Sequence, residues 1–460
     1  MAASFDTVDP TTGATLERFA YFSPAQIETA LERAANAAAA WASSSFSERS
    51  ALLRAVAARL RAEPDRLAAR ATREMGKPIA QARAEVEKCA ACCDWFAENG
   101  AALLADAPAV TAAGKSYVAY RPLGVLFAIM PWNFPYWQVV RAAAPALMAG
   151  NGIVLKHADN TTGCAYELDR IFAEAGGPRG LLTTILADYA TTDALIADPR
   201  IAAVTLTGSE RAGIAVGAAA GAALKPCVLE LGGSDAFVVR ADADIDAVAR
   251  SAVAARFQNN GQSCIAAKRF IVHADVYDAF VERFAARAGD LVAGDPADEA
   301  NTLGPCARED LRAAVDAQVR DSVAAGARLV TGGRIVDRPG FFYEPTIVAD
   351  VLPGMRMFDE EVFGPAAAVT RAESDEHAIR LANATSFGLG GSVWTADIAA
   401  GERLAARLDC GSAFVNAIVA SDPRVPFGGV KRSGYGRELA AFGIHEFVNI
   451  QTVWIGADRS

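Results

Sequence analysis

Of the 460 residues, 52% are hydrophobic and 21% charged, enough to bury a large core, which excludes disorder and collagen-like architectures. Lys and Arg number 44 against 54 Asp and Glu, a net charge of -10. No basic block marks a nucleic-acid partner, and no run of about 18 apolar residues reads as a membrane span.

In chain order, residues 1–10 lack a basic segment followed by an apolar one, so no secretory signal is expected. The first hundred residues read as helices. Leu52, Leu53, Val56 and Leu60 recur at helical spacing behind Ser47, a candidate N-cap. Pro64 suits a first helical turn, and Gly76 with Pro78 closes that helix. An Ala-rich helix over 79–98 is expected to stop at Asn99-Gly100. From Val125 the pattern changes. Strands over 125–130, 153–156, 182–187, 202–207 and 227–231 alternate with helices over 161–175 and 211–221. This pattern predicts an α/β fold with a doubly wound parallel sheet, which binds ligands beyond the carboxyl ends of its strands. A second alternating region, 234–432, has strand candidates at 236–239, 270–273, 327–331, 367–370 and 412–416. The β-prone segment 447–455 is expected to pair with another strand rather than stay bare.

Eight unevenly spaced cysteines point to a reducing, cytoplasmic setting. Cys89, Cys92 and Cys93 fall at i, i+3 and i+4 of one helix, and no second pair or neighbouring His completes a metal site, so they read as packing residues. His157, His273, His377 and His445 lie far apart, and no metal is expected.

Four patches carry chemistry: Pro131-Trp132-Asn133-Phe134-Pro135, Leu229-Glu230-Leu231-Gly232-Gly233, Asn260-Gly261-Gln262-Ser263-Cys264 and Glu360-Glu361-Val362-Phe363-Gly364-Pro365. Each sets a functional side chain at a Gly- or Pro-rich break, where backbone can approach a ligand. In this order and spacing they resemble the aldehyde dehydrogenase superfamily. The likeness runs from Val8-Asp9-Pro10-Thr11-Thr12-Gly13 to Pro426-Phe427-Gly428-Gly429-Val430-Lys431-Arg432-Ser433-Gly434.

The resemblance implies an enzyme that expels hydride from an aldehyde after thiolate addition, then hydrolyses the thioester. Cys264 matches the nucleophile, Asn133 the oxyanion donor and Glu230 the base that activates water. Relatives that pass the acyl group to coenzyme A or phosphate generally lack that base, so a free acid is the expected product. Glu361 and Phe363 match the grip on the nicotinamide ribose. Lys156 matches the adenosine-ribose contact, and Gly208 with Ser209 the pyrophosphate contact at a helix start. Trp132 and Leu231, flanking the oxyanion donor and the base, complete the cofactor set. Glu210 stands where many relatives carry Thr and is left out. Asp159, three residues after Lys156, favours NAD by repelling a 2′-phosphate, although its short side chain leaves NADP possible.

Lys156-His157-Ala158, Trp137-Gln138 with Arg141, Leu231-Gly232-Gly233-Ser234 and Ser421-Asp422-Pro423-Arg424 resemble the short bacterial succinate-semialdehyde dehydrogenase branch. The likeness implies a substrate with a distal carboxylate. Arg141, about two turns after Asn133 if that stretch is helical, Ser263 and Ser421 are its candidate partners, with Trp137 and Phe427 as tunnel walls. The same chemistry on an aromatic aldehyde, glutarate semialdehyde or an aminoaldehyde is the alternative, as is a non-catalytic binding protein keeping the fold. The family fold implies a cofactor domain over 1–103 and 123–232 and an α/β catalytic domain over 233–440. A small β oligomerisation arm over 104–122 and 441–460 would join a homodimer or homotetramer.

Overall fold

A computed structural model describes residues 3–456. The chain opens with an antiparallel hairpin, Ser4–Val8 against Thr15–Ala20, inside the stretch that reads as helical. Four helices follow: Pro24–Ala42, Phe46–Ala62, Pro64–Met75 and Ile79–Leu103. The second is capped by Ser45, not Ser47. Ser45 Oγ accepts from the Glu48 N–H while the Glu48 carboxylate accepts from the Ser45 N–H, a reciprocal box that Ser47 has no partner to build. Pro64 occupies the first turn of the third helix, and Gly76 ends it with φ 77°. The fourth helix runs through Asn99-Gly100. There a Cβ on Gly100 would lie 2.2 Å from Met148 Cγ, so the glycine serves a close helix–helix approach rather than a stop.

The six-stranded sheet has the order Gly434–Tyr435, Cys227–Glu230, Ile201–Thr207, Val125–Met130, Gly152–His157, Leu182–Thr184. All neighbours are parallel except the first pair. Side chains alternate across it. Leu126, Ala128 and Met130 face the core formed with the helices Phe46–Ala62, Ile79–Leu103 and Trp137–Ala149. Val125 and Phe127 face Pro24–Ala42 and Glu210–Ala222. Helices on both faces are the doubly wound arrangement that the sequence predicts.

The seven-stranded sheet has the order Arg328–Thr331, Thr346–Ala349, Ala366–Ala372, Ala267–His273, Asp235–Val239, Gly390–Trp394, Ser412–Val415, parallel except at its first pair. Two of these strands, Thr346–Ala349 and Gly390–Trp394, are additions to the sequence reading. The tail strand Val448–Ile455 pairs antiparallel with Lys115–Pro122 along its whole length, and Ala107–Pro108 completes a three-stranded sheet. Residues 434–435, from the stretch read as catalytic domain, instead add an edge strand to the six-stranded sheet. Among the described residues no helix is long and apolar enough to cross a membrane.

Candidate active site

The carboxyl ends of adjacent parallel strands carry the candidate motifs. Val125–Met130 leads into Pro131-Trp132-Asn133, Gly152–His157 ends on Lys156-His157, and Ile201–Thr207 leads into Gly208-Ser209. Glu230 is the last residue of Cys227–Glu230, and its carbonyl accepts from the Gly208 N–H at 2.9 Å.

Cys264 follows an unusual turn. Asn259, Asn260 and Gly261 all lie in the left-handed region (φ 53°, 58° and 73°). Asn259 Nδ2 donates locally to the Gln262 carbonyl at 3.1 Å, the kind of bond that lets Asn adopt this conformation. A Cβ on Gly261 would sit 2.2 Å from the Gly364 carbonyl, so only glycine fits. Asn260 is buried, donating to the Gly76 and Pro305 carbonyls and accepting from the Gly304 N–H.

One chain of contacts then joins all four motifs. Asn133 Nδ2 donates to the Gln262 carbonyl at 3.0 Å, and its Oδ1 accepts from Gln138 Nε2 at 3.1 Å. One Asn133 N–H remains for a ligand. Buried Lys268 donates to the carbonyls of Ser263 (2.9 Å) and Cys264 (2.7 Å) and lies 3.5 Å from Glu361 Oε1. The same Glu361 oxygen accepts from the Gly233 N–H at 3.0 Å, three residues past Glu230.

Cys264 is half-buried, and that enclosure pushes its thiol up to about 12, with Arg141 and Lys268 pulling the other way. Glu230 is buried with neither carboxyl oxygen partnered among the described residues. Burial first, then the charge of Glu438, raise its proton affinity well above the carboxylate norm. Both groups therefore rest protonated.

Among the residues expected to meet the cofactor, Trp132 and Phe363 meet edge-to-face at 5.7 Å, beside Met75 and Ala307. Lys156 Nζ lies 3.7 Å from Asp159 Oδ1, and Asp159 Oδ2 accepts from Tyr21 Oη at 2.7 Å. Ser209 caps the helix Glu210–Ala222, its Oγ accepting from the Ala212 N–H at 3.4 Å. Leu231 is buried over Gly213, where a Cβ would lie 2.5 Å from its methyl. Glu210 is ion-paired with Arg432. A cation, an acid, a capped helix start and an aromatic pair suit a dinucleotide.

Around the expected substrate contacts, the helix starts only at Trp137, with Glu85 accepting from the N–H groups of Tyr136 and Trp137. Asn133 precedes it, so the expected two helical turns between Asn133 and Arg141 are not there. Buried Arg141 pairs with Glu438, donates to Thr207 Oγ1 at 3.3 Å and stacks over Phe427. Backbone bonds in both directions tie Phe427 to Glu438. Ser421 accepts from Lys88 Nζ at 2.8 Å, and Ser263 Oγ is buried without a partner among the described residues.

The model of the Aldehyde dehydrogenase family matches residues 1–453. The chain belongs to that family. A protein of Escherichia coli (strain K12) named "Succinate semialdehyde dehydrogenase [NAD(P)+] Sad" is 51% identical over 448 residues, 97% of either chain. One of Mycobacterium tuberculosis (strain ATCC 25618 / H37Rv) named "Succinate-semialdehyde dehydrogenase [NADP(+)] 1" is 51% identical over 98% of this chain and 99% of its own. The structure of succinic semialdehyde dehydrogenase from Streptococcus pyogenes in complex with NADP+ superposes with a TM-score of 0.96 at 37% identity, covering 98% of this chain and all of that one.

The sequence motifs of this aldehyde dehydrogenase do not reveal Glu438, Lys268 or Lys88. Glu438 lies four residues past the Gly434 motif, and a carboxylate so close to a Gly-rich break is a usable signal. Lys268 falls four residues after Cys264, one helical turn in a segment that is not helical. Lys88 sits mid-helix, 333 residues from Ser421, and carries no local signal. Cys89, Cys92 and Cys93 are buried in the helical core, and all eight cysteines are free. Among the described residues, no three His, Cys, Asp or Glu gather to hold a metal ion.

Proposed function

We propose that this aldehyde dehydrogenase oxidises succinate semialdehyde to succinate with NAD or NADP. The observation that carries the reading is its full-length likeness, at 51% identity, to proteins named for that substrate. The cations Arg141 and Lys88 beside Trp137, Phe427 and Ser421 support it, since a carboxylate-bearing aldehyde needs charge-assisted donors.

The proposed chemistry uses this chain's own groups. Cys264 Sγ, once its proton has passed to solvent, adds to the aldehyde carbon. The free Asn133 N–H and the Cys264 backbone N–H hold the resulting alkoxide. The bound dinucleotide supplies a hydride acceptor, with Trp132, Lys156, Asp159, Gly208, Ser209, Leu231, Glu361 and Phe363 as its proposed contacts. Collapse of the alkoxide would break the C–H bond, with the hydride leaving to that acceptor, and leave a thioester on Cys264. Glu230, after losing its own proton, takes one from water, whose oxygen attacks the acyl carbon and displaces the thiolate. Trp137, Arg141, Ser263, Ser421 and Phe427 are the proposed substrate contacts.

The division into cofactor domain, catalytic domain and arm stands as part of this proposal, as does a cytoplasmic homodimer or homotetramer. Exposed Ile450, Trp454 and Ile455 on the terminal strand suit burial against a second copy.

The test is steady-state NADH and NADPH formation across succinate semialdehyde, glutarate semialdehyde, butanal, an aromatic aldehyde and an aminoaldehyde. Succinate semialdehyde should give the highest kcat/KM, and added coenzyme A should leave the rate alone. A better substrate among the others overturns the assignment. Acyl-CoA formation overturns hydrolysis.

A further inference from the structure

Charge is unevenly matched around Trp137. Lys88 is half-buried on the helix Ile79–Leu103, its Nζ 4.3 Å from the centre of the Trp137 ring and 2.8 Å from Ser421 Oγ. Among the described residues no carboxylate lies within ion-pair distance of it. The nearby acids are already matched. Glu85 is ion-paired with Lys77 and accepts two backbone N–H groups. Asp422 pairs with Arg424 at 2.6 Å. Glu438 pairs with Arg141. The neighbourhood therefore carries one uncompensated positive charge, held away from bulk water. Burial and the adjacent Arg141 charge pull the Lys88 amine down to about 8, as such a position demands.

The donors are also available. An ammonium has three N–H groups. One goes to Ser421, the Trp137 face attracts the cation without consuming a donor in a directed bond, and others remain. Ser421 accepts from Lys88 with a lone pair and keeps its own O–H to donate. Arg141 links this corner to the reacting sulfur: its charge acts on Lys88 and on Cys264 alike. Cys264 packs against the same cluster that holds Trp137 and Phe427.

We propose that Lys88, with Ser421, receives the distal carboxylate of the substrate, making Lys88 a specificity-determining residue. The proposal rests on the succinate-semialdehyde reading and deepens it. Arg141, ion-paired with Glu438, then contributes a hydrogen bond and a wall, while Lys88 contributes the charge that no ion-paired carboxylate offsets.

The experiment compares kcat/KM for succinate semialdehyde and for butanal, a neutral aldehyde of the same carbon count. In the wild type the charged substrate should be favoured; no preference overturns the substrate reading itself, and the Lys88 proposal with it. In Lys88→Met the ratio should fall about 30-fold, the size expected for losing a hydrogen bond between charged groups, with most of the loss in KM, and Lys88→Arg should restore much of it. A wild-type preference that survives in Lys88→Met overturns the Lys88 proposal alone. If Lys88→Met does not fold, amine footprinting of the wild type with acetic anhydride decides: succinate should shield Lys88 and butyramide should not. Equal labelling with and without succinate overturns the proposal.

Discussion

The guanidinium of Arg141 lies over the Phe427 ring, 4.6 Å from its centre, while it is ion-paired with Glu438, whose backbone is bonded to Phe427. Three side chains thus form one buried unit next to Glu230. Removing Arg141 strands a buried carboxylate, at a cost of about 3–5 kcal/mol. Arg141→Ala should therefore lower stability and impair turnover of charged and neutral aldehydes alike. The double variant Arg141→Met, Glu438→Gln should recover most of the stability. Urea unfolding and kcat/KM on succinate semialdehyde and butanal check this. A fully stable Arg141→Ala with only a raised KM for the charged aldehyde would contradict it.

The resting thiol of Cys264 makes a second prediction. With its proton affinity pushed up to about 12, the free enzyme holds on the order of one thiolate in 100,000 at pH 7. Alkylation of Cys264 by iodoacetamide should be slow there and rise about tenfold per pH unit up to about pH 11. Peptide mass spectrometry isolates this cysteine from the others. A rate plateau near pH 8 would mean that Arg141 and Lys268 stabilise the thiolate far more than burial opposes it. Cys264→Ser should abolish turnover.

Asp159 bears on cofactor choice. Its carboxylate is anchored by Tyr21 and neighboured by Lys156, so its negative charge is fixed where the proposal puts the adenosine ribose. Asp159→Ala should raise kcat/KM for NADP relative to NAD by about tenfold, a modest share of the repulsion between two close anions. Tyr21→Phe should shift the ratio less, since it frees the carboxylate without removing it. An unchanged ratio in Asp159→Ala would place the discriminating group elsewhere.

Much of this was legible in the sequence where the signal is local. The strand Val125–Met130 has the bounds its apolar run predicts, and Gly76 closes its helix in the left-handed conformation that its place before Pro78 predicts, although a Cβ there would also lie 2.8 Å from Pro305 Cγ. Local signals failed where tertiary contacts decide. Gly100 reads as a stop yet sits inside a helix, because Met148 needs the space. The hairpin Ser4–Val8 with Thr15–Ala20 escaped because half of its residues are polar and it is stabilised by cross-strand pairs such as Arg18 with Asp6. Gly390–Trp394 escaped because two glycines open a strand that is buried throughout. At the candidate site, the Gly- and Pro-rich motifs that the structure brings together carry a local signal, whereas Lys88 and Lys268 carry none. Their positions follow from packing between segments remote in sequence.

Glu74 supplies a pH-dependent stability. Its two carboxyl oxygens accept from the N–H groups of Gly163 and Cys164, at the start of the helix Thr162–Glu174, each at 3.0 Å. Burial nonetheless raises it to about 7, against 4.5 in an unfolded chain, with those bonds and Arg70 opposing. Between these values the folded chain keeps a proton that the unfolded chain has released. Stability is therefore fully present below pH 4.5 and falls as pH rises toward 7, by up to about 3 kcal/mol. Asp169 and Asp235, raised to about 7 and about 6 by burial, act in the same direction. Glu74→Gln removes only the Glu74 contribution. The difference in unfolding free energy, wild type minus Glu74→Gln, should decline from pH 5 to pH 7 and level off above that range. Urea midpoints measured in steps across that range would read it directly, and curves that stay parallel would mean that the helix start holds Glu74 ionised throughout.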